Sequence, residues 1–280
     1  MSDIEISSGP VLLAGELSGD EQGPPIVLLH GLTATRRYVV MGSSVLARGG
    51  MRVFAYDARG HGHSAPAPAR EYGYERLAAD LVAVLDAHGL PSAILAGASM
   101  GAHTALRVAC EHRARVKGLA LITPSFLPGR EADGAELARW DELARGLRDG
   151  GVEGFVRAYD LDRVPERWRG TVEVVLRQRL AAHDHPGAIA EALEVVPRSR
   201  PFERLSELAG VTVPTVVVAS RDEADPGHPL AVGEAYAEAI PGAELVVEPS
   251  EEPPRSPIAW QGSQLSKVLL ELAARADVST

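Results

Sequence analysis

The sequence predicts an α/β protein in which a mostly parallel sheet is flanked by helices. Short, continuous apolar runs at 26–29, 53–56 and 93–96 are typical of strands that are buried on both faces. Between the last two runs, residues 74–88 carry apolar side chains at helical spacing. The chain has 280 residues, of which 45% are hydrophobic, so it is long enough to bury a sizeable core.

Charge and composition disfavour several classes of partner. The formal net charge is −10, which disfavours nucleic acid and anionic membrane surfaces because like charges repel. No apolar run is long enough for a membrane span, and no signal peptide is visible. The single cysteine, Cys110, is compatible with a reducing compartment. We therefore expect a cytoplasmic protein with a small-molecule substrate, compatible with a homodimer.

Strand and helix signals alternate along the chain, and a helical stretch interrupts them. The expected strands are 11–15, 26–29, 53–56, 93–96, 116–123, 213–219 and 244–248. The expected helices outside the interruption are 38–48, 74–88, 102–113 and 230–240. Within the interruption we expect helices at 135–148, 152–159, 166–182 and 185–195, divided by glycine and proline. This predicts a core of residues 1–124 and 205–280 with an inserted helical cap at 125–204.

The chemistry is expected around Gly97-Ala98-Ser99-Met100-Gly101, which joins a buried strand to a helix. Small flanking residues permit a sharp turn that presents the serine, and the N-terminus of the following helix favours negative charge beside it. With His30-Gly31, the D-x-R-G-x-G-x-S turn at 57–64 and Asp225-Pro226, this G-x-S-x-G sequence resembles the α/β-hydrolase family. The resemblance implies an α/β-hydrolase fold over most of the chain.

The resemblance also implies roles for individual residues. Ser99 would be the nucleophile, and the backbone N–H groups of Leu32 and Met100 would form the oxyanion hole. His30 would orient the loop that carries Leu32, with substrate binding as the alternative. In the turn at 57–64, Asp57 is expected to pair with Arg59, and a metal site formed by Asp57, His61 and His63 is disfavoured.

The catalytic acid is expected in the loop after the strand at 213–219. Asp225 is the preferred residue, because 225–229 resembles the D-P-x-H-P form of the family's acid turn. Asp222 and Glu223 are the alternatives. In the same comparison, His228 occupies a loop position and not that of the base.

The expected base is missing from its usual place after the last strand. No histidine follows His228, and the family's G-H-x-P pattern aligns with 254–257, which puts Arg255 at the base position. Arginine stays protonated near neutral pH and cannot act as a general base. The candidate base is therefore His228, with His103, His183 and His185 as alternatives, while Arg255 is a candidate for binding an anionic substrate.

Three functional hypotheses follow. The first is a serine hydrolase for an ester- or amide-type small molecule with a non-standard or missing base. The second is a non-hydrolytic lyase, isomerase or cyclase on the same fold, and the third is a silent pseudohydrolase that binds a small molecule. No cofactor or metal is expected, because the sequence has no phosphate-binding glycine motif and no zinc-ligand spacing.

Overall fold

A central sheet organises the computed structural model, which describes residues 1–130, 133–221, 227–248 and 260–278. Within these residues the sheet has eight strands in the order β1-β2-β4-β3-β5-β6-β7-β8. The strands are β1 Ser2–Ser8, β2 Val11–Gly19, β3 Pro25–Leu29, β4 Arg52–Tyr56, β5 Ala93–Ala98, β6 Val116–Ile122, β7 Thr215–Ala219 and β8 Glu244–Val247. From β4 to β8 neighbouring strands are parallel, and only the β1–β2 and β2–β4 pairs are antiparallel. The predicted α/β class with a mostly parallel sheet is confirmed.

Helices cover both faces of the sheet. They are α1 Val45–Arg48, α2 Tyr74–Ala87, α3 Met100–Glu111, α4 Gly134–Ala158, α5 Glu166–Leu180, α6 Pro186–Val195, α7 Leu230–Ala239 and α8 Gly262–Val278. Helices α2, α3 and α7 pack on one face, and α1 and α8 pack on the other. Alternate residues of β3 enter the two cores, Val27 and Leu29 on the first face and Ile26 and Leu28 on the second. No helix among the described residues is long and apolar enough to cross a membrane.

One prediction in the N-terminal half is wrong, and one strand there was not predicted. Residues 38–48 do not form one helix, since the structure has a 3-10 turn at Arg36–Tyr38 and a short helix α1. Met41 and Gly42, which lie between the 3-10 turn and α1, both have positive φ, and a continuous helix does not allow this. The first strand, β1, was not expected at all, although its Ile4 and Ile6 alternate with polar residues as in a half-buried strand.

The described residues between β6 and β7 include three α-helices and no strand, as expected. These helices, α4, α5 and α6, here called the helical insertion, share a core of their own that includes Leu147, Phe155 and Ile189. The two helices expected at 135–148 and 152–159 form one kinked helix, α4, which turns at Gly151 with a φ of 57°. The role of this insertion as a cap over a substrate site stays a prediction.

Candidate active site

The turn between β5 and α3 holds Ser99 in a backbone conformation that non-glycine residues rarely adopt. Its φ is 50° and its ψ is −113°. The Ser99 N–H donates to Ile122 O on β6, and Ser99 O accepts from His103 N in the first turn of α3. Such strain persists only where the surroundings enforce it, and it is concentrated at functional sites. The turn therefore presents the half-buried Ser99 hydroxyl at the carboxyl edge of the sheet.

Two glycines make this turn sterically feasible. A Cβ atom on Gly97 would lie 2.2 Å from the carbonyl carbon of Gly101, and a Cβ on Gly101 would lie 2.2 Å from Leu29 O on β3. Both contacts are far shorter than real Cβ atoms make, and both involve backbone that cannot move aside. Close approach of backbone to backbone thus explains why the motif has glycine at each position.

His228 lies against the Ser99 hydroxyl. Its Nε2 atom is 2.8 Å from Ser99 Oγ, and its ring is half-buried. The residue belongs to the connection between β7 and α7, the loop that the family resemblance reserves for the acid. Of the four histidines considered as a base, His228 is the one for which the structure gives a hydrogen bond to the serine.

His103 is occupied elsewhere, although it lies one helical turn after Ser99. Its Nε2 accepts from the backbone N–H groups of Ser125 and Phe126 at 3.1 and 3.2 Å. Its Nδ1 therefore carries the proton and donates to Tyr74 Oη at 3.0 Å. Burial lowers the pKa of His103 to about 3. This histidine anchors the start of the loop after β6 and remains neutral at ordinary pH.

The two histidines of the helical insertion also lie in other environments. His183 is buried and accepts from Gly62 N at Nδ1, over 2.7 Å, while its Nε2 donates to Thr33 O at 3.0 Å. Burial lowers its pKa. His185 is exposed and immediately precedes helix α6.

His30 is fixed by the backbone on both sides of its ring. Its Nε2 accepts from Ala58 N and its Nδ1 donates to Gly31 O, each at 2.8 Å. Burial lowers its pKa to about 3, so the ring is neutral. These contacts orient the loop that continues into Leu32 and leave neither ring nitrogen for a substrate.

The loop after β3 passes beside the serine. A Cβ placed on Gly31 would lie 3.4 Å from Ser99 Cβ, so the backbone that continues into Leu32 borders the nucleophile turn. On the other side, Met100 is the first residue of α3, and a first-turn N–H has no partner within its helix. The two N–H groups expected to form an oxyanion hole thus belong to segments that both border Ser99.

The expected Asp57–Arg59 ion pair is wrong. Asp57 pairs instead with Arg36 and also accepts from Arg36 N. Arg59 forms a two-pronged, buried pair with Asp80 on α2, with both N–O distances at 2.7 Å. Asp57 and Arg59, two positions apart in the turn, pair with side chains on different segments, the 3-10 turn at Arg36–Tyr38 and α2. Arg36 and Asp80 both lie outside the motif at 57–64, so its spacing gives no sign of either pairing.

The acid candidates and Arg255 lie outside the described residues. These are Asp225, Asp222, Glu223 and Arg255. In the part of the chain that the structure describes, no group of three or more His, Cys, Asp or Glu side chains is arranged to hold a metal ion.

Comparison with known proteins decides the family. Residues 24–156 match the model of the alpha/beta hydrolase fold. The chain is 30% identical over 200 residues to a putative carbamate hydrolase RutD from Azorhizobium caulinodans, covering 69% of this chain and 71% of that one. This chain belongs to the α/β-hydrolase fold family.

Further relatives of this α/β-hydrolase are consistent with that assignment. A second putative carbamate hydrolase RutD, from Variovorax paradoxus, is 29% identical over 211 residues, covering 75% of this chain and 77% of the relative. The structure also superposes on an esterase from Thermogutta terrifontis with a TM-score of 0.77, covering 99% of both chains at 23% identity. The similarity to the esterase structure concerns the fold alone. The sequence relatives are named as hydrolases, which supports the assignment of this chain as a hydrolase.

Proposed function

We propose that this protein is a serine hydrolase in which His228 is the general base for Ser99. The distance of 2.8 Å between His228 Nε2 and Ser99 Oγ carries the proposal. A serine hydroxyl is a weak nucleophile until an adjacent base accepts its proton, and a base must be within hydrogen-bond reach to do so. The proposal places this base in the loop after β7 and not in the loop after β8.

The reaction would proceed as acyl transfer. Ser99 Oγ attacks a carbonyl carbon while its proton passes to His228 Nε2, and the negative charge on the carbonyl oxygen is stabilised by the N–H groups of Leu32 and Met100. His228 then gives the proton to the leaving group. Water, deprotonated by the same ring, releases the acyl group and regenerates Ser99. The acid that orients His228 is expected to be Asp225, with Asp222 and Glu223 as alternatives.

The substrate class is a small molecule with an ester, amide or carbamate carbonyl. The relatives named carbamate hydrolases support including the carbamate. The non-hydrolytic and silent alternatives depended on the absence of a base, and the contact between His228 and Ser99 favours the hydrolase over both.

A chemical probe combined with a substrate panel tests the proposal. The wild-type protein is incubated with a fluorophosphonate, and the adduct is mapped by mass spectrometry. We expect one adduct, on Ser99, and turnover of at least one p-nitrophenyl ester or carbamate that Ser99→Ala abolishes. An unlabelled Ser99 under conditions that label an ordinary esterase, or turnover that survives Ser99→Ala, would contradict it.

A further inference from the structure

Two side chains of the helical insertion contact the loop that carries Leu32. Near the end of α5, Arg179 donates from Nη2 to Leu32 O at 3.0 Å and to Thr33 Oγ1 at 2.8 Å. In the turn after α5, His183 donates from Nε2 to Thr33 O at 3.0 Å. Three hydrogen bonds thus join two consecutive residues of this loop to a segment that lies 146 to 150 positions later in the chain.

The same segment is fixed to the core from its other side. Gly62 N donates to His183 Nδ1 at 2.7 Å, and Asp184 N donates to Gly62 O at 3.0 Å. Because an amide N–H can only donate, the contact with Gly62 leaves the imidazole proton on Nε2, where it reaches Thr33. His183 therefore connects the turn at 57–64 to the loop after β3.

The loop needs such support. Thr33 has a φ of 64°, a conformation that β-branched residues avoid and that persists only when surrounding contacts enforce it. Leu32 also packs against the apolar core of the helical insertion. The backbone on the carboxyl side of Leu32 is thus held by contacts from α5 and the following turn, while His30 holds the backbone on its amino side.

We propose that Arg179 and His183 are positioning residues that keep the Leu32 N–H directed at Ser99, so that the oxyanion hole is complete only when the helical insertion is seated on the core. This inference rests on the proposed function. Both residues contact the loop and not the reacting atoms, so their role is positioning and not catalytic.

The main test compares steady-state constants of the wild type and Arg179→Ala on a p-nitrophenyl ester. We expect kcat to fall about 10- to 100-fold, because a displaced donor loses transition-state stabilisation. KM should stay within about twofold, since an oxyanion donor acts mainly in the transition state. The affinity of a boronic acid, which forms a tetrahedral anion on serine, should fall along with kcat. An unchanged kcat and boronate affinity would overturn the proposal.

Arg177→Ala is the matched control. Arg177 lies two positions earlier on α5 and pairs with Glu153 at 2.7 Å and Glu173 at 2.8 Å, both within the helical insertion. It has the same charge and length as Arg179, but its described partners all lie within the helical insertion and not on the loop. We expect its kcat to stay within about twofold of wild type. Equal losses in the two variants would mean general loosening of the insertion and would overturn a specific positioning role.

A pair of Thr33 variants decides the question if Arg179→Ala does not fold. Thr33→Val removes the Oγ1 acceptor and keeps the branched shape, whereas Thr33→Ser keeps the acceptor. We expect a lower kcat for Thr33→Val and near-complete retention for Thr33→Ser; equal kcat values in both would overturn the proposal. Wild-type protein that fluorophosphonate does not label at Ser99 would refute the proposed function itself, whereas labelled wild type with unaffected variants would refute only this inference.

Discussion

Histidines occur in two contrasting environments around Ser99. His228 is half-buried and lies against the serine hydroxyl, while His30 and His103 are fully buried and bind backbone N–H groups. Burial lowers the pKa of both His30 and His103 to about 3, so both rings remain neutral. Their hydrogen bonds to the backbone contribute to the stability of the fold. A general base must be able to take up a proton during the reaction. Solvent access and the hydrogen-bond partner, and not position along the chain, separate His228 from these two buried histidines.

The largest expected effect on activity is for a change of the half-buried His228. His228→Ala should lower kcat on an aryl ester by about 10³- to 10⁴-fold, as removal of a triad base does. The thermal unfolding temperature should stay close to that of wild type, because His228 is a half-buried loop residue and its removal leaves no cavity in the core. Stopped assays of ester hydrolysis measure the residual kcat of His228→Ala, with Ser99→Ala as the background control. Activity of His228→Ala within tenfold of wild type would contradict its role as base.

The opposite pattern is expected for His103→Ala. The change leaves the N–H groups of Ser125 and Phe126 without their acceptor and removes a buried ring. We expect a loss of about 2–4 kcal/mol in the free energy of unfolding, with kcat of the folded protein changed only a few-fold. Urea denaturation and active-site titration separate the two quantities. A stable His103→Ala protein with thousandfold lower kcat would reverse the assignment of the two histidines.

The buried histidines also predict how stability depends on pH. His30 and His103 stay neutral in the native state down to about pH 3, whereas in the unfolded chain a histidine binds a proton below about pH 6.5. The unfolded state therefore binds more protons, and stability falls as the pH is lowered through this window. These two residues contribute a slope approaching about 2.7 kcal/mol per pH unit between pH 6 and 5.

Urea denaturation at several pH values measures this slope, and His103→Gln provides the control. Loss of one titrating ring should reduce the slope by about 1.4 kcal/mol per pH unit. A free energy of unfolding that does not change from pH 6.5 to 5 would show that these rings are protonated in the native state.

The smallest effect is expected for His185, one of the alternative candidates for the base. It is exposed and immediately precedes α6, and its side chain forms no capping hydrogen bond with that helix. His185→Ala should change the free energy of unfolding by less than about 0.5 kcal/mol and leave kcat unchanged. A large loss of activity in this variant would mean that the exposed side of the insertion takes part in the chemistry.

Most of the sheet could be predicted from the sequence, because parallel strands buried on both faces require continuous apolar runs such as Val216–Val218. The serine turn could also be predicted, since Gly97 and Gly101 are enforced by backbone contacts. Strand β1 escaped prediction because its acidic and polar residues obscured the alternation of Ile4 and Ile6.

The sequence names His228 as a candidate base for Ser99 beside three other histidines, and nothing in its spacing shows that its ring reaches the serine. His228 is 129 positions from Ser99, and only the strand order brings the two together. Strands β5 and β7 are separated by β6 alone, which puts their carboxyl ends about 10 Å apart at the same edge of the sheet. The loop after β7 therefore lies within side-chain reach of the serine. The pairing of Asp57 with Arg36 and of Arg59 with Asp80 likewise depends on side-chain directions that motif spacing does not specify.

Chemical rescue tests the central claim, that His228 activates Ser99, most directly. The rate of Ser99 phosphonylation by a fluorophosphonate is measured for wild type and His228→Ala, with and without added imidazole. We predict that His228→Ala reacts at least about 10³-fold more slowly than wild type and that imidazole restores part of this rate in proportion to its concentration. The contradicting result is a His228→Ala protein that is labelled at Ser99 as fast as wild type and is indifferent to imidazole.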